Sequence, residues 1–282
     1  MRRNAVLLGL AVLPLTGCAV IRDRVRVAVK GCVDVPYTPP TGIAMIAGTL
    51  HSRHVRQPVS YVLAVGDDVD RHAIDRAIYV LPGRSVSARE VFAGLNYGAP
   101  FGAAMRNNPI LRRSFLISFD AGESYFHPRA SGEDRLALVT DELPGVVARL
   151  TGSRPKREAL VGMSMGGYGA LLAAEREPAR YAAVAVAGPA LFPSYEDERG
   201  SVGDAFDSAA DFARYDVVGH AGTLRGRAVR IRCGSSDPFV PGVRAFARGC
   251  PSADVAIEKG CHDDGFWRAS APALLEFVAR HF

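Results

Sequence analysis

The stretch Ala159-Leu160-Val161-Gly162-Met163-Ser164-Met165-Gly166-Gly167-Tyr168-Gly169-Ala170 decides the fold. An apolar run ends at a serine flanked by glycines, and small and apolar residues at helical spacing follow. This is a G-x-S-x-G motif in a strand–turn–helix context. Glycines on both sides permit a strained turn and a close approach of helix to strand. The serine Oγ then stands at a helix N-terminus, where free N–H groups steady negative charge. Ser164 is therefore read as a nucleophile rather than as part of a glycine-rich structural turn.

Working outward, short apolar runs alternate with helical patterns from about residue 42 to the C-terminus, without repeats or low-complexity tracts. Strands are expected at 43–50, 59–65, 77–81, 115–119, 159–163, 182–187, 229–233 and 255–258. Helices are expected at 88–95, 133–150 (kinked near Pro144), 167–175, 241–248 and 268–280. The later strands are continuous apolar runs, as in strands buried on both faces of a mostly parallel sheet. The first two strands are also compatible with an antiparallel edge pair. One α/β domain over 42–282 follows, with the segment between the sixth and seventh strands as a small cap.

A serine hydroxyl needs a base within hydrogen-bond reach, and the base needs an orienting acid. In the α/β-hydrolase fold the chain order is Ser, then Asp or Glu, then His. His51, His54, His72 and His127 precede Ser164, His281 is penultimate, and His220 lies before the last two strands. His262, in Lys259-Gly260-Cys261-His262-Asp263-Asp264-Gly265-Phe266-Trp267, follows the final strand and is read as the base. Asp237, in Gly234-Ser235-Ser236-Asp237-Pro238-Phe239, ends the preceding strand and is read as the acid. Asp263 and Asp264 adjoin the base, and neighbouring loop side chains tend to diverge. Oxyanion donors are expected from the backbone N–H of Met165 and of Arg84, the latter in the loop after the third strand. The Arg84 side chain is read either as a substrate contact or as a solvated surface group.

Together, Gly162–Ala170, Cys233–Phe239 and Gly260–Trp267 resemble the esterase D / antigen 85 group of α/β-hydrolases over roughly residues 75–282. The resemblance implies ester hydrolysis or acyl transfer with no metal and no organic cofactor. It assigns Ser164, Asp237 and His262 as the triad, and Met165 and Arg84 as oxyanion donors. It also suggests Tyr125, His127 and Trp267 as pocket walls, the alternative being loop packing. Many relatives carry His-Gly or Asp-Gly where this chain has Pro82-Gly83, a departure that disfavours trehalose mycolyl transfer. The leading expectation is a serine carboxylic-ester hydrolase acting on a small-molecule or lipid ester. An acyltransferase with the same triad is the alternative, and a non-catalytic envelope antigen the third.

The N-terminus reads as an address. Met1-Arg2-Arg3-Asn4 precedes an apolar run, Ala5 to Leu15, spanning about 16 Å as a helix, which is half a bilayer. Such a run suits a signal-peptide core better than a membrane span. Leu15-Thr16-Gly17-Cys18 resembles a bacterial lipobox, implying removal of residues 1–17 and lipidation of Cys18 as a membrane anchor. An ordinary secretory signal is the alternative, and both place the protein outside the cytoplasm. Residues 18–41 read as a tether, with an optional edge strand at Val25–Val29. With Cys18 lipidated, four of the five cysteines remain. They fit two disulfides in an oxidising compartment, with Cys250–Cys261 favoured for closeness, or else free buried thiols.

Of the 282 residues, 48% are hydrophobic and 22% charged, which excludes wholesale disorder and collagen-like repeats. The net charge of +5 falls to +3 once Arg2 and Arg3 are removed. The 31 Arg and 3 Lys are scattered, so no basic stripe suggests nucleic acid.

Overall fold

In the computed structural model, which describes residues 31–282, the apolar runs form one eight-stranded sheet. The strands are β1 (Ile43–Leu50), β2 (Val59–Gly66), β3 (Arg76–Leu81), β4 (Ser114–Phe119), β5 (Arg157–Met163), β6 (Tyr181–Ala187), β7 (Val229–Gly234) and β8 (Asp254–Glu258). Their spatial order is β1-β2-β4-β3-β5-β6-β7-β8. The edge pair β1–β2 is antiparallel, as is β2–β4; every later pairing is parallel. Leu81 therefore lies opposite Gly162, and Met163 opposite Ala187, at the carboxyl end of the sheet. In an open parallel sheet that end is where loops from neighbouring strands converge on a ligand.

Side chains alternate between two cores, one on each face. Leu63, Tyr79, Ile117, Leu160, Val186 and Ile231 pack on one side. Ala64, Ile78, Leu116, Val161, Ala183 and Ala185 pack on the other. The helices covering them are α1 (Ala88–Ala93), α2 (Gly98–Met105), α3 (Pro109–Arg112), α4 (residues 135–151), α5 (Met165–Arg176), α6 (Tyr195–Ser201), α7 (Ala209–Arg214), α8 (Val240–Gly249) and α9 (Asp264–His281). Within α4 the five residues Leu138–Glu142 form a π turn just before Pro144. Proline has no N–H to donate into the preceding turn, so the ladder loosens there, close to the expected kink. Helices α2, α3, α6 and α7 are not among those expected. Gly98, Pro100 and Gly102 give α2 poor intrinsic propensity, and its close packing against Thr41 and Ile43 supplies the order.

Residues 31–41, the described part of the expected tether, run as a largely exposed strap across α2 and the start of α9. Arg268 Nη1 donates to the Val35 carbonyl at 3.1 Å, and the Thr38 N–H donates to Asn96 Oδ1 at 3.4 Å. The disulfide is Cys32–Cys261, not Cys250–Cys261, while Cys233 and Cys250 are buried free thiols. Strand β8 lies between Cys250 and Cys261 and advances about 3.3 Å per residue, carrying the second to the opposite end of the sheet. A disulfide needs Cα atoms within about 7 Å. Cys18 and Val25–Val29 lie outside the described residues. No helix among the described residues is long and apolar enough to cross a membrane.

Candidate active site

Strand β5 and helix α5 meet at Ser164, whose φ of 52° and ψ of −122° make the sharp turn anticipated for it. The neighbouring glycines are required by space. A Cβ on Gly162 would strike the Gly166 carbonyl, and one on Gly166 would strike the carbonyls of Leu81 and Pro82. The turn is pinned through its backbone: the Ser164 N–H donates to Ala187 O at 3.2 Å, and Ser164 O accepts from Ala190 N at 2.9 Å.

Three side chains converge from three strand ends. Ser164 Oγ lies 2.9 Å from His262 Nε2, and His262 Nδ1 lies 2.8 Å from Asp237 Oδ2. Asp237 is buried, and its other oxygen accepts the Phe239 N–H at 2.8 Å, so the carboxylate is held at both ends. His262 is a fifth exposed at its side chain, while the Asp237 side chain is closed off from solvent. Phe239 and Trp267 brace the imidazole edge-to-face, with ring centroids 5.0 and 5.2 Å away. Gly188, at the end of β6, completes the support. Its φ is +50°, and a Cβ there would lie 2.7 Å from Asp237 Oδ2.

Met165 is the first residue of α5, so its N–H has no acceptor within the helix. The Pro82–Ser85 loop crosses the serine closely: a Cβ on Gly83 would lie 3.5 Å from Ser164 Cβ. The Arg84 side chain is neither a free surface group nor aimed at the serine. It forms a bidentate pair with Asp204 at 2.8 and 2.7 Å, which raises its pKa and lowers that of the carboxylate.

Tyr125 and His127, expected either as pocket walls or as loop packing, are both buried within the packing beneath the cap. His127 has no exposed surface and stacks between Phe206 and Tyr215, each 4.9 Å away. Its Nε2 is 3.2 Å from Asp211 Oδ2, yet burial outweighs that partner and pulls its pKa down to about 4. Tyr125, at φ 53°, is buried among Tyr168, Phe192 and Phe206, and burial raises its pKa. Together they form the floor on which the 189–217 cap sits. Arg129 holds that cap from the side, donating to Asp207 Oδ1 and to the Asp204 carbonyl, each at 2.9 Å.

Sequence reasoning missed Gly188, the bracing role of Phe239, and the partnership of Cys32 with Cys261. A Gly-Pro pair directly after an apolar strand was the available signal for the first. The other two depend on contacts distant in sequence. Beyond Phe239, a groove of about 310 Å³ opens between α6 and α8, with Phe192, Phe239 and Pro238 on its wall and Glu196 and Asp197 beside them. Cys32, Cys261 and Asp263 are grouped closely enough for a metal, but both sulfurs are spent in the disulfide.

The family model described as "Putative esterase" matches residues 112–278, more than half of the chain. The chain belongs to this esterase family. It is thereby a carboxylic-ester hydrolase by kind, and the expected fold is also the one found among solved structures. A ferulic acid esterase aligns with a TM-score of 0.72 at 16% identity, covering 86% of this chain and all of the other. An S-formylglutathione hydrolase from Agrobacterium tumefaciens aligns with a TM-score of 0.69 at 15% identity, over 88% of this chain and 98% of the other. MPT51 from Mycobacterium tuberculosis aligns with a TM-score of 0.66 at 16% identity, over 88% and 99%. At such identities the likeness speaks for the fold. No curated protein matches the sequence significantly.

Proposed function

We propose that this esterase is an exported serine hydrolase that cleaves carboxylic esters through an acyl-enzyme on Ser164. The observation that carries the reading is the hydrogen-bond series Ser164 Oγ–His262 Nε2 at 2.9 Å and His262 Nδ1–Asp237 at 2.8 Å. Ser164 Oγ attacks the ester carbonyl as His262 Nε2 takes its proton, and Asp237 stabilises the resulting imidazolium. The N–H groups of Met165 and Arg84 receive the oxyanion. His262 then returns the proton to the departing alcohol. Water, deprotonated by the same nitrogen, attacks the acyl-enzyme and releases the acid.

The cap holds only two short helices, α6 and α7, which fits short or medium acyl chains better than long ones. Export is supported by the leader and by a disulfide, since such bonds persist outside reducing compartments. In this reading Cys18 carries the lipid that ties the enzyme to the membrane, and loss of lipid-modified protein from membranes in Cys18→Ser tests it.

A fluorophosphonate probe should label the wild type and leave Ser164→Ala unlabelled, with ester turnover reduced by about 10⁴-fold or more. A folded wild type that escapes labelling would sink the proposal. With a p-nitrophenyl ester as donor, added glycerol or trehalose should give little transfer product. Dominant transfer at saturating acceptor would move the assignment to an acyltransferase.

A further inference from the structure

We propose that the Cys32–Cys261 disulfide is a positioning device for His262, so that full esterase activity belongs to the oxidised enzyme. The inference rests on the assignment of His262 as base. Cys261 is the residue immediately before His262, and its sulfur is bonded to a cysteine 229 positions earlier. Cys32 is itself well held, because it begins the strap fastened by Arg268 to Val35 and by Asn96 to Thr38. The same Arg268 donates through Nε to the Gly94 carbonyl at 2.6 Å, tying strap, α1–α2 turn and α9 together. Val33 O lies against Gly265, where a side chain would not fit.

The loop carrying the base is fixed at both flanks. Gly260 O accepts the Ser236 N–H at 2.9 Å, and Asp263 caps α9 by accepting the Phe266 N–H at 3.0 Å. Between these anchors, Cys261 is held by the disulfide and by its backbone packed on Gly234, and His262 by its ring bonds and by Phe239 and Trp267. Neither sulfur belongs to the two apolar cores, so the bond joins strap to loop rather than core to core. Bonds of 2.9 and 2.8 Å tolerate little displacement before they fail. A misplacement near 1 Å at a catalytic group costs up to about 100-fold in rate.

Opening the bond takes two electrons. A dithiol attacks one sulfur as thiolate, forming a mixed disulfide with it and expelling the other protein sulfur as thiolate. Its second thiolate then attacks the reagent's own sulfur in that mixed disulfide and releases the first protein sulfur. The reagent leaves as a cyclic disulfide, and Cys32 and Cys261 remain as thiols. Both cysteines are nearly buried, at 4% and 6% exposure, so the strap must part before a reductant enters.

The test compares oxidised wild type, wild type reduced with dithiothreitol, and Cys32→Ser/Cys261→Ser, well below the unfolding midpoint and with circular dichroism as the check of fold. Reduction and substitution should each slow fluorophosphonate labelling and lower kcat by about 10-fold or more while KM stays within about twofold. Reoxidation of the wild type should restore both labelling and kcat. The downfield proton NMR signal of His262 Nδ1–H on Asp237 should be sharp in the oxidised protein and broadened or lost on reduction. That readout needs no turnover, so it separates this inference from the esterase assignment. An oxidised enzyme that is unlabelled but shows the reduction-sensitive signal would remove the assignment and keep the positioning role. Unchanged labelling, kcat and NMR signal in folded, reduced protein would overturn the proposal. So would global unfolding on reduction of the wild type, because the bond would then hold the domain rather than the loop.

Discussion

Ser164 occupies a backbone region that non-glycine residues reach at a cost of about 1–3 kcal/mol, and its neighbours make that conformation the one available. The same logic operates at Gly188 with opposite consequence for substitution. Gly188→Ala would put a methyl 2.7 Å from Asp237 Oδ2 and strain a φ of +50°, so Asp237 must yield. We expect kcat to drop by about 10- to 100-fold with KM little changed, measured by steady-state ester hydrolysis. His127 supplies a pH prediction. Burial holds its folded pKa at about 4, below the unfolded value near 6.5, so the native state binds fewer protons between these limits. Its neutral form is compatible with the fold at every pH above 6.5, and stability falls as pH drops from about 6.5 toward 4. Thermal midpoints measured across that window should decline, and more shallowly in His127→Asn.

At the scale of elements, the strands were legible because continuous apolar runs of five to eight residues leave few alternatives between turns, and their ends moved by at most two residues. Helix α9 begins earlier than its apolar pattern, because Asp263 caps it and draws Asp264 to Trp267 into its first turn. The cap helices α6 and α7 escaped notice for another reason. Each starts at a serine cap, Ser194 or Ser208, but acquires order through partners outside itself. Arg129 and Arg84 reach the cap from loops distant in sequence. Arg129→Ala should therefore raise hydrogen exchange across 204–216 while sheet amides stay protected, because the cap loses its lateral anchor and the sheet loses nothing.

For the molecule as a whole, the Cys32–Cys261 link closes a segment of 229 positions. By chain-entropy reasoning its removal costs about 5 kcal/mol, the upper end for a single disulfide. For a domain of this size each kcal/mol moves the melting midpoint by about 2–4 °C. Calorimetry with and without dithiothreitol should therefore show a midpoint lowered by about 10–20 °C, and an unchanged midpoint would show that the bond adds no stability. This thermal effect is separate from the loss of rate below the midpoint.

What the sequence determined by itself was everything local or ordered along the chain. The glycine-flanked turn at Ser164, the apolar strands and the chain order of Ser164, Asp237 and His262 needed neighbouring residues and connectivity alone. Cys32 and the Arg84–Asp204 pair were settled only by tertiary structure, as were the burial of Tyr125 and His127 and the support from Gly188 and Phe239. Each of these depends on which side chain meets which across long sequence separations. Packing chooses those meetings by shape and burial, and neither is a property of any single stretch of chain.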